Sequence, residues 1–546
     1  MQHGINKSSG MSLRAWADRM LRATGLARGL TRRPALLRAL LALPLLVSCA
    51  ALPHHAEPRS FAIAAGSETP LQRVAITSTQ GFAESGFQLL PVATASLEAR
   101  LALVARAEKS LDLQYFEWAE DATGRYLIRA LRLAAERGVR VRVLVDDLHD
   151  DGADKLLSGL AACGNVQVRL FNPFVRFRDS LAFKLASSLD DLDRVNHRMH
   201  NKMFVADNAL AVFGGRNIAD EYFMRSAERN FVDLDMLAAG PIVQELSASF
   251  DVYWNSNFVY SIDAVVQPAA GSPEQRCEAL TATVAATGPP PVDRTVPPRF
   301  ARYSQVPTDL EEGRLRMVAA HAELRVDPVD KASGTRLNDR HGTVRAFVGE
   351  FTRAAQSEVV AVSPYFVPGE LGMETIEMLS RRGVRMRVLT NSLAATDEPV
   401  VYGGYLRYVI PMMRLGLELY ELSPNLVRQS RLGRFGNSQG MLHAKILIVD
   451  RARVFVGSLN IDGRSERYNT EIGLLIDSPE MAAELLDMLD FGNSSYRLRL
   501  TSDGERVEWV SGSEENQQVY DKEPEADRWT EFKAHVLGKL LPENWL

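Results

Sequence analysis

Cysteine is scarce in this chain. Cys49, Cys163 and Cys277 are the only three in 546 residues. They fit no metal-ligand spacing and are too few for a disulfide-dense scaffold. A membrane-spanning run is missing at the one place that suggests it. The apolar stretch 35–47 is interrupted by Arg38 and Pro44 and is too short to cross a bilayer as a helix. Positive charge is lacking as well. The formal net charge is −5, and residues 1–48 hold eight Lys/Arg against one acid, Asp18, which leaves 55 bases and 67 acids (net −12) in the remainder. A body that acidic is a poor generic polyanion binder, which argues against a nucleic-acid partner. What is left is an ordinary globular composition, 46% apolar and 24% charged, long enough for two domains.

Within it one short pattern occurs twice. His200-x-Lys202-x4-Asp207 and His443-x-Lys445-x4-Asp450 lie 243 residues apart. The first is followed by Gly214-Gly215-x-Asn217 and the second, at the same distance, by Gly457-Ser458-x-Asn460. Matched tails of this kind are not a product of chance. At strand spacing, His and Lys project side by side from one face, with apolar residues such as Phe204 and Leu447 beyond them. Asp207 and Asp450 then fall in turns, and the following apolar runs return as second strands. These carry a small residue, Gly215 or Ser458, and an asparagine back beside the His and Lys. The small residue lets a phosphate approach the backbone, and Asn217 or Asn460 supplies amide donors.

Two such copies face to face suit a phosphodiester. One imidazole attacks phosphorus while the other protonates the leaving oxygen. Two lysines and two asparagines neutralise the non-bridging oxygens as charge develops. Protein cations do the work of a metal, so no metal or other cofactor is expected. For Asp207 and Asp450, the last members of the two catalytic motifs, a scaffolding role is favoured, because a turn Asp usually caps its own backbone.

On these motifs the chain resembles the phospholipase D superfamily with two HKD motifs, over roughly residues 80–546. The segments MHNKMFVADNALAVFGGRNIADEYF (199–223), LTNSLAATDEPVVYGGY (389–405), LHAKILIVDRARVFVGSLNIDGRS (442–465) and the terminal LPENWL are closer in texture to bacterial cardiolipin synthases of the C type. The resemblance implies transfer of a phosphatidyl group to an alcohol or water through a phosphohistidine. It also implies His200 as nucleophile and His443 as general acid, although the residues themselves are symmetric on this point. Each His needs an acidic partner to fix its tautomer. Asp233, 33 residues after His200, and Glu471, 28 after His443, are the candidates, acting within or across the domains, with Asp235 as runner-up.

The leader points to a membrane. Arg-rich residues 14–38 run into the apolar stretch, which ends Leu46-Val47-Ser48-Cys49 and resembles a lipoprotein lipobox with Cys49 as the lipidated residue. Such an anchor would hold the protein on a membrane surface, and Ala50 rather than Asp after it hints at the outer membrane of a bacterial envelope. The long stretch before the leader points to a start at Met11 or Met20.

Internal duplication is legible beyond the motifs. Strand 110–115, helix 123–137 ending at Arg137-Gly138, and strand 139–145 are answered by strand 358–362, a helix ending at Arg382-Gly383, and strand 384–389. His200 follows Gly138 by 62 residues and His443 follows Gly383 by 60. The expected fold is α/β: two similar phospholipase D-like domains, each a mixed β-sheet flanked by helices, with the active site at their interface. The expected boundaries are a signal peptide at 1–49, a tether at 50–78, the first domain at 79–262, a connection at 263–314 and the second domain at 315–546. Cys163 reads as a small buried residue rather than a disulfide partner. The aromatic and basic segment Phe171 to Lys184 reads as packed on the core rather than as a lip in lipid, and a helix near 405–418 reads as core.

Three functions remain open besides a cardiolipin-forming phosphatidyltransferase: a phospholipase D hydrolase, a nuclease, and a lipid-binding envelope protein with a dead site. Phospholipids and a membrane surface are the expected partners. Nothing in the residues speaks to a helper protein.

Overall fold

The computed structural model describes residues 57–540, except 66–67, 150–151, 175–177, 179–183, 185–190, 290–297, 335–341, 430–434, 436, 490 and 513–514. The leader, Cys49, the terminal LPENWL and part of the aromatic segment therefore lie outside the described residues.

The strands of the first half are β1 Ser85–Leu90, β2 Ser110–Glu117, β3 Arg140–His149, β4 Val166–Phe171, β5 Arg198–Met199, β6 Met203–Ala206, β7 Leu210–Gly214, β8 Arg229–Val232, β9 Asp235–Ala239 and β10 Val259–Ser261. Those of the second are β11 Val318–Val326, β12 Glu358–Val362, β13 Arg385–Asn391, β14 Glu418–Leu422, β15 Gln439–Leu442, β16 Ile446–Val449, β17 Arg453–Gly457, β18 Asn469–Thr470, β19 Ile472–Asp477, β20 Ser495–Leu500, β21 Val507–Ser511 and β22 Gln518–Tyr520. The principal helices are α1 Ala93–Arg106, α2 Ala122–Glu136, α3 Asp154–Ala161, α4 Pro241–Trp254, α5 Pro273–Ala285, α6 Val344–Arg353, α7 Gly369–Arg381 and α8 Pro479–Met488.

Pairing runs outward from an antiparallel contact between β1 and β11, with Phe87 opposite Val318 and Ser85 opposite Ala320. On one side follow β9, β7, β6, β2, β3 and β4. On the other follow β19, β17, β16, β12, β13 and β14 in the same order. The outer three strands of each side pair in parallel and the rest antiparallel, so both sheets are mixed, as expected. The identical order on either side of one antiparallel contact is the mark of a duplicated unit turned about an approximate two-fold axis. Two further short pairs, β5 with β18 and β8 with β15, cross between the halves.

Alternation along each strand feeds two cores. Phe204 and Val212 face the helices of the first half, while Val205, Ala211 and Phe213 join Ile446, Ile448, Val454 and Val456 in a core shared by both halves. Residues Leu447, Val449 and Phe455 turn away from it, under the helices of the second half. The βα units match expectation closely, and the helix stops at Gly138 and Gly383 have the left-handed backbone (φ 94° and 72°) that favours glycine at a helix C-terminus.

Three expectations change. Residues 57–65 are not a loose tether, because Ser60, Ala62 and Ile63 bond to Asn255, Asp251 and Asn208, and the Arg142 and Arg169 guanidiniums bond to the carbonyls of Ser60 and Pro58. Cys163 is not a lone core residue. It forms a disulfide with Cys277, whose helix α5 packs through Leu280 against Gly159 of α3 and brings the Cα atoms to 5.0 Å. The connection is thus tied to the first half. The helix expected near 405–418 is two short ones, Pro399–Tyr405 and Val409–Arg414, ended by Gly416 (φ 84°) before β14 begins. Tyr405, Val409 and Met412 are nonetheless buried. In the aromatic segment Phe171 and Phe174 are buried, and Arg178 pairs with Asp147 and Asp154.

Candidate active site

His200 and Lys202 do not lie on one continuous strand. They occupy the break between β5 and β6, and His443 and Lys445 occupy the matching break between β15 and β16. That break lets each motif bond across the molecule. The His200 N–H donates to the Thr470 carbonyl (2.9 Å), and the His443 N–H to that of Val232 (2.8 Å).

Cross-pairing therefore sets an acid from the opposite half beside each imidazole. His200 Nδ1 lies 2.9 Å from Glu471 Oε2, and His443 Nδ1 lies 2.7 Å from Asp233 Oδ2. Asp235 is not available for this task, since it pairs with Arg100 (3.0 Å) and Ser96 (2.7 Å). Lys202 Nζ donates to the His200 carbonyl at 2.7 Å, and Lys445 Nζ sits 3.0 and 3.1 Å from the two ring nitrogens of His443. Ring edges complete the seats. Phe116 contacts His200 with centroids 4.9 Å apart, while Tyr222 and Phe231 contact His443 at 5.1 and 5.0 Å.

The small residues serve the acids rather than leaving open space. A Cβ at Gly215 would fall 2.2 Å from Asp233 Oδ1, so the position must stay bare for that carboxylate. Ser458, its counterpart, donates its hydroxyl to Glu471 and accepts from the Ile472 N–H (3.0 Å). Asn217 also departs from expectation: its amide nitrogen is committed to Tyr222 (2.9 Å) and Glu117 (3.2 Å). The Oδ1 atoms of Asn217 and Asn460 are buried without a hydrogen-bond partner among the described residues. Tyr222, Glu117, Phe116 and the Tyr365–Asp397 pair (2.7 Å) carry no motif signal in the sequence, and only the fold gathers them.

The two motif aspartates lie away from the imidazoles. Asp207 accepts from the backbone N–H groups of Glu108, Lys109 and Ser110, at 2.8–3.2 Å. Asp450 does the same for Gln356, Ser357 and Glu358. Both occupy left-handed hairpin turns, φ 52° and 53°, followed by Asn208 and Arg451 at 51° and 55°. Each pins its hairpin to the start of β2 or β12.

Burial and mutual repulsion shape the electrostatics. Burial, with Lys202 and Lys445 nearby, holds the His200 imidazole well below its ordinary value. Burial and Lys445 bring His443 to about 4, against the pull of Asp233. Burial lowers Lys445 to about 8, and burial with Lys445 beside it lowers Lys202 as well. The acids diverge. Burial pushes Glu471 up to about 7, whereas for Asp233 the neighbouring His443, Lys445 and Arg216 outweigh burial and bring it down to about 2. That each lysine bears on the opposite imidazole means the two motifs form one centre.

A family model described as cardiolipin synthase, PLD-like domain, matches residues 101–254 and 350–490, covering both motifs. The chain belongs to that family. This cardiolipin synthase-like chain is 36% identical over 460 residues to cardiolipin synthase C of Escherichia coli, covering 82% of the chain and 93% of that relative. It is 26% identical over 426 residues to cardiolipin synthase A of Pseudomonas aeruginosa, covering 77% and 70%. Its fold is shared with the crystal structure of phosphatidylserine synthase from Haemophilus influenzae, at 13% identity and a TM-score of 0.54, over 87% of this chain and all of that one. Among the described residues no helix is long and apolar enough to cross a membrane.

Proposed function

We propose that this protein is a phosphatidyltransferase that joins two phospholipids into cardiolipin through a phosphohistidine on His200. The observation that carries the reading is the crossed pairing of two buried imidazoles with two acids, Glu471 beside His200 and Asp233 beside His443. An arriving phosphodiester anion raises both imidazoles. His443 takes the proton first, because His443 and nearby cations favour the charged form of its partner Asp233, whereas burial pushes Glu471 up. Neutral His200 then attacks phosphorus through Nε2. The P–N bond forms as the P–O bond to the departing alcohol breaks, and that oxygen takes the proton from His443. In the second step His443 removes the proton of an acceptor hydroxyl, which attacks phosphorus and releases His200. Lys202 and Lys445 stabilise the non-bridging oxygens in both steps. No cofactor enters this scheme.

The placement favoured is a bacterial envelope membrane facing the periplasm, with Cys49 as lipid anchor. The Cys163–Cys277 disulfide supports an oxidising compartment. Phospholipids are the partners, and the acidic body speaks against nucleic acid. The test is lipid analysis of membranes from cells expressing wild type or His200→Ala. Cardiolipin should rise only with wild type, and equal levels in the two would refute the proposal.

A further inference from the structure

The duplicated halves differ in how tightly their helices close on the sheet. In the first, nine of the fourteen residues of α1 and eight of the fifteen of α2 are buried. Their counterparts in the second half, α6 and α7, bury three of ten and two of thirteen. Between α6, α7 and the sheet lies a cavity of about 910 Å³. Val359, Ala361, Val388, Leu447 and Phe455 form its floor, and Ile376 and Leu379 its roof. Lys445 of the reaction centre lines the same space, and Arg345, Arg353 and Arg467 stand along it together with the acids Glu350 and Glu466.

We propose that this cavity is an acyl-chain subsite, taking one fatty-acyl chain of the phospholipid that reacts at His200 and His443. The inference rests on the reading above. Its size is that of a ligand site rather than a packing fault, since close-packed interiors hold few voids larger than water. Its apolar floor and roof call for an apolar occupant, and continuity with Lys445 calls for one whose same molecule carries a phosphate. A phospholipid tail meets both demands. The arginines complement the phosphate end, and the helices of the first half bury far more of their residues against their sheet. One chain is therefore drawn into the protein while the rest of the lipid stays at the membrane.

Equilibrium binding to the inactive full-length His200→Ala protein tests this without any turnover, so failure of the phosphatidyltransferase reading would leave the measurement intact. The probe is a phosphatidylglycerol with a pyrene at the end of one acyl chain, used below its aggregation threshold. Adding Ala346→Phe and Thr375→Phe, both in the cavity wall, should weaken binding by at least about tenfold. Thr375→Val, which preserves volume, should leave it unchanged. An equal affinity in the filled variant would overturn the proposal, as would a free pyrenyl fatty acid binding as tightly as the lipid. A chain-length series on His200→Ala alone covers the case of a filled variant that does not fold. Affinity should rise with each added methylene and then level off when the cavity is full, whereas an unbroken rise would indicate surface partitioning and overturn the idea.

Discussion

Glu471 Oε2 sits 2.9 Å from the imidazole of His200, although 271 residues of chain separate them. The partner bond, Asp233 to His443, spans 210. Each acid comes from the half opposite its histidine, so neither half holds a complete centre. Burial pushes Glu471 up to about 7, whereas His443 and nearby cations bring Asp233 down to about 2, and the predictions begin there.

Asp233→Asn should lower kcat about a hundredfold or more, because it removes the full negative charge that favours a protonated His443. Glu471→Gln should cost about ten times less, since burial already holds Glu471 up at about 7. Steady-state kinetics on a phospholipid donor reads both, and equal losses would remove the proposed division of labour.

Activity should fall as pH rises through about 8. There Lys445 loses the charge that stabilises the phosphoryl oxygens, instead of keeping it to its ordinary 10.5. On the acid side the neutral His200 needed for attack persists well below 6.5, because its imidazole is depressed by burial and the lysines. The rate profile should therefore keep its acid limb below the usual histidine range. A kcat/KM profile that is flat from pH 7 to 10 would contradict the role given to Lys445.

Asp207→Ala should destabilise the fold by about 2–4 kcal/mol, since three backbone donors lose their acceptor and an alanine is left at φ 52°. The better exposed Asp450→Ala should cost less. Urea denaturation measures both. KM for the lipid should stay within about twofold in each, because neither aspartate touches an imidazole.

Replacing Cys163 and Cys277 together by alanine, or reducing the protein, should cost about 2–4 kcal/mol by freeing the connection helix. Thermal unfolding with and without reductant reads this directly. An unchanged Tm would mean that α5 is held by packing alone.

Much of this was legible without a fold. The repeated His-x-Lys, the βα registers ending at Gly138 and Gly383, and the two acids at 233 and 471 all follow from local spacing, and spacing is what a strand or a helix stop depends on. Other features were read wrongly for an equally physical reason. Gly215 and Ser458 looked like room for phosphate but instead accommodate the carboxylates of Asp233 and Glu471, which the next strand pairs of the same half carry in beside them. Cys163 looked solitary because the helix carrying Cys277 docks from a connection 114 residues away.

The sequence by itself determined that two equivalent His-x-Lys motifs with matched tails exist, because side-chain type and period are local properties. Only the tertiary structure decided that the motifs exchange acids across the approximate two-fold axis, that burial and neighbours push those acids in opposite directions, and that one helical layer stands off its sheet. Each depends on burial and on distances between segments far apart along the chain, and no local pattern encodes either.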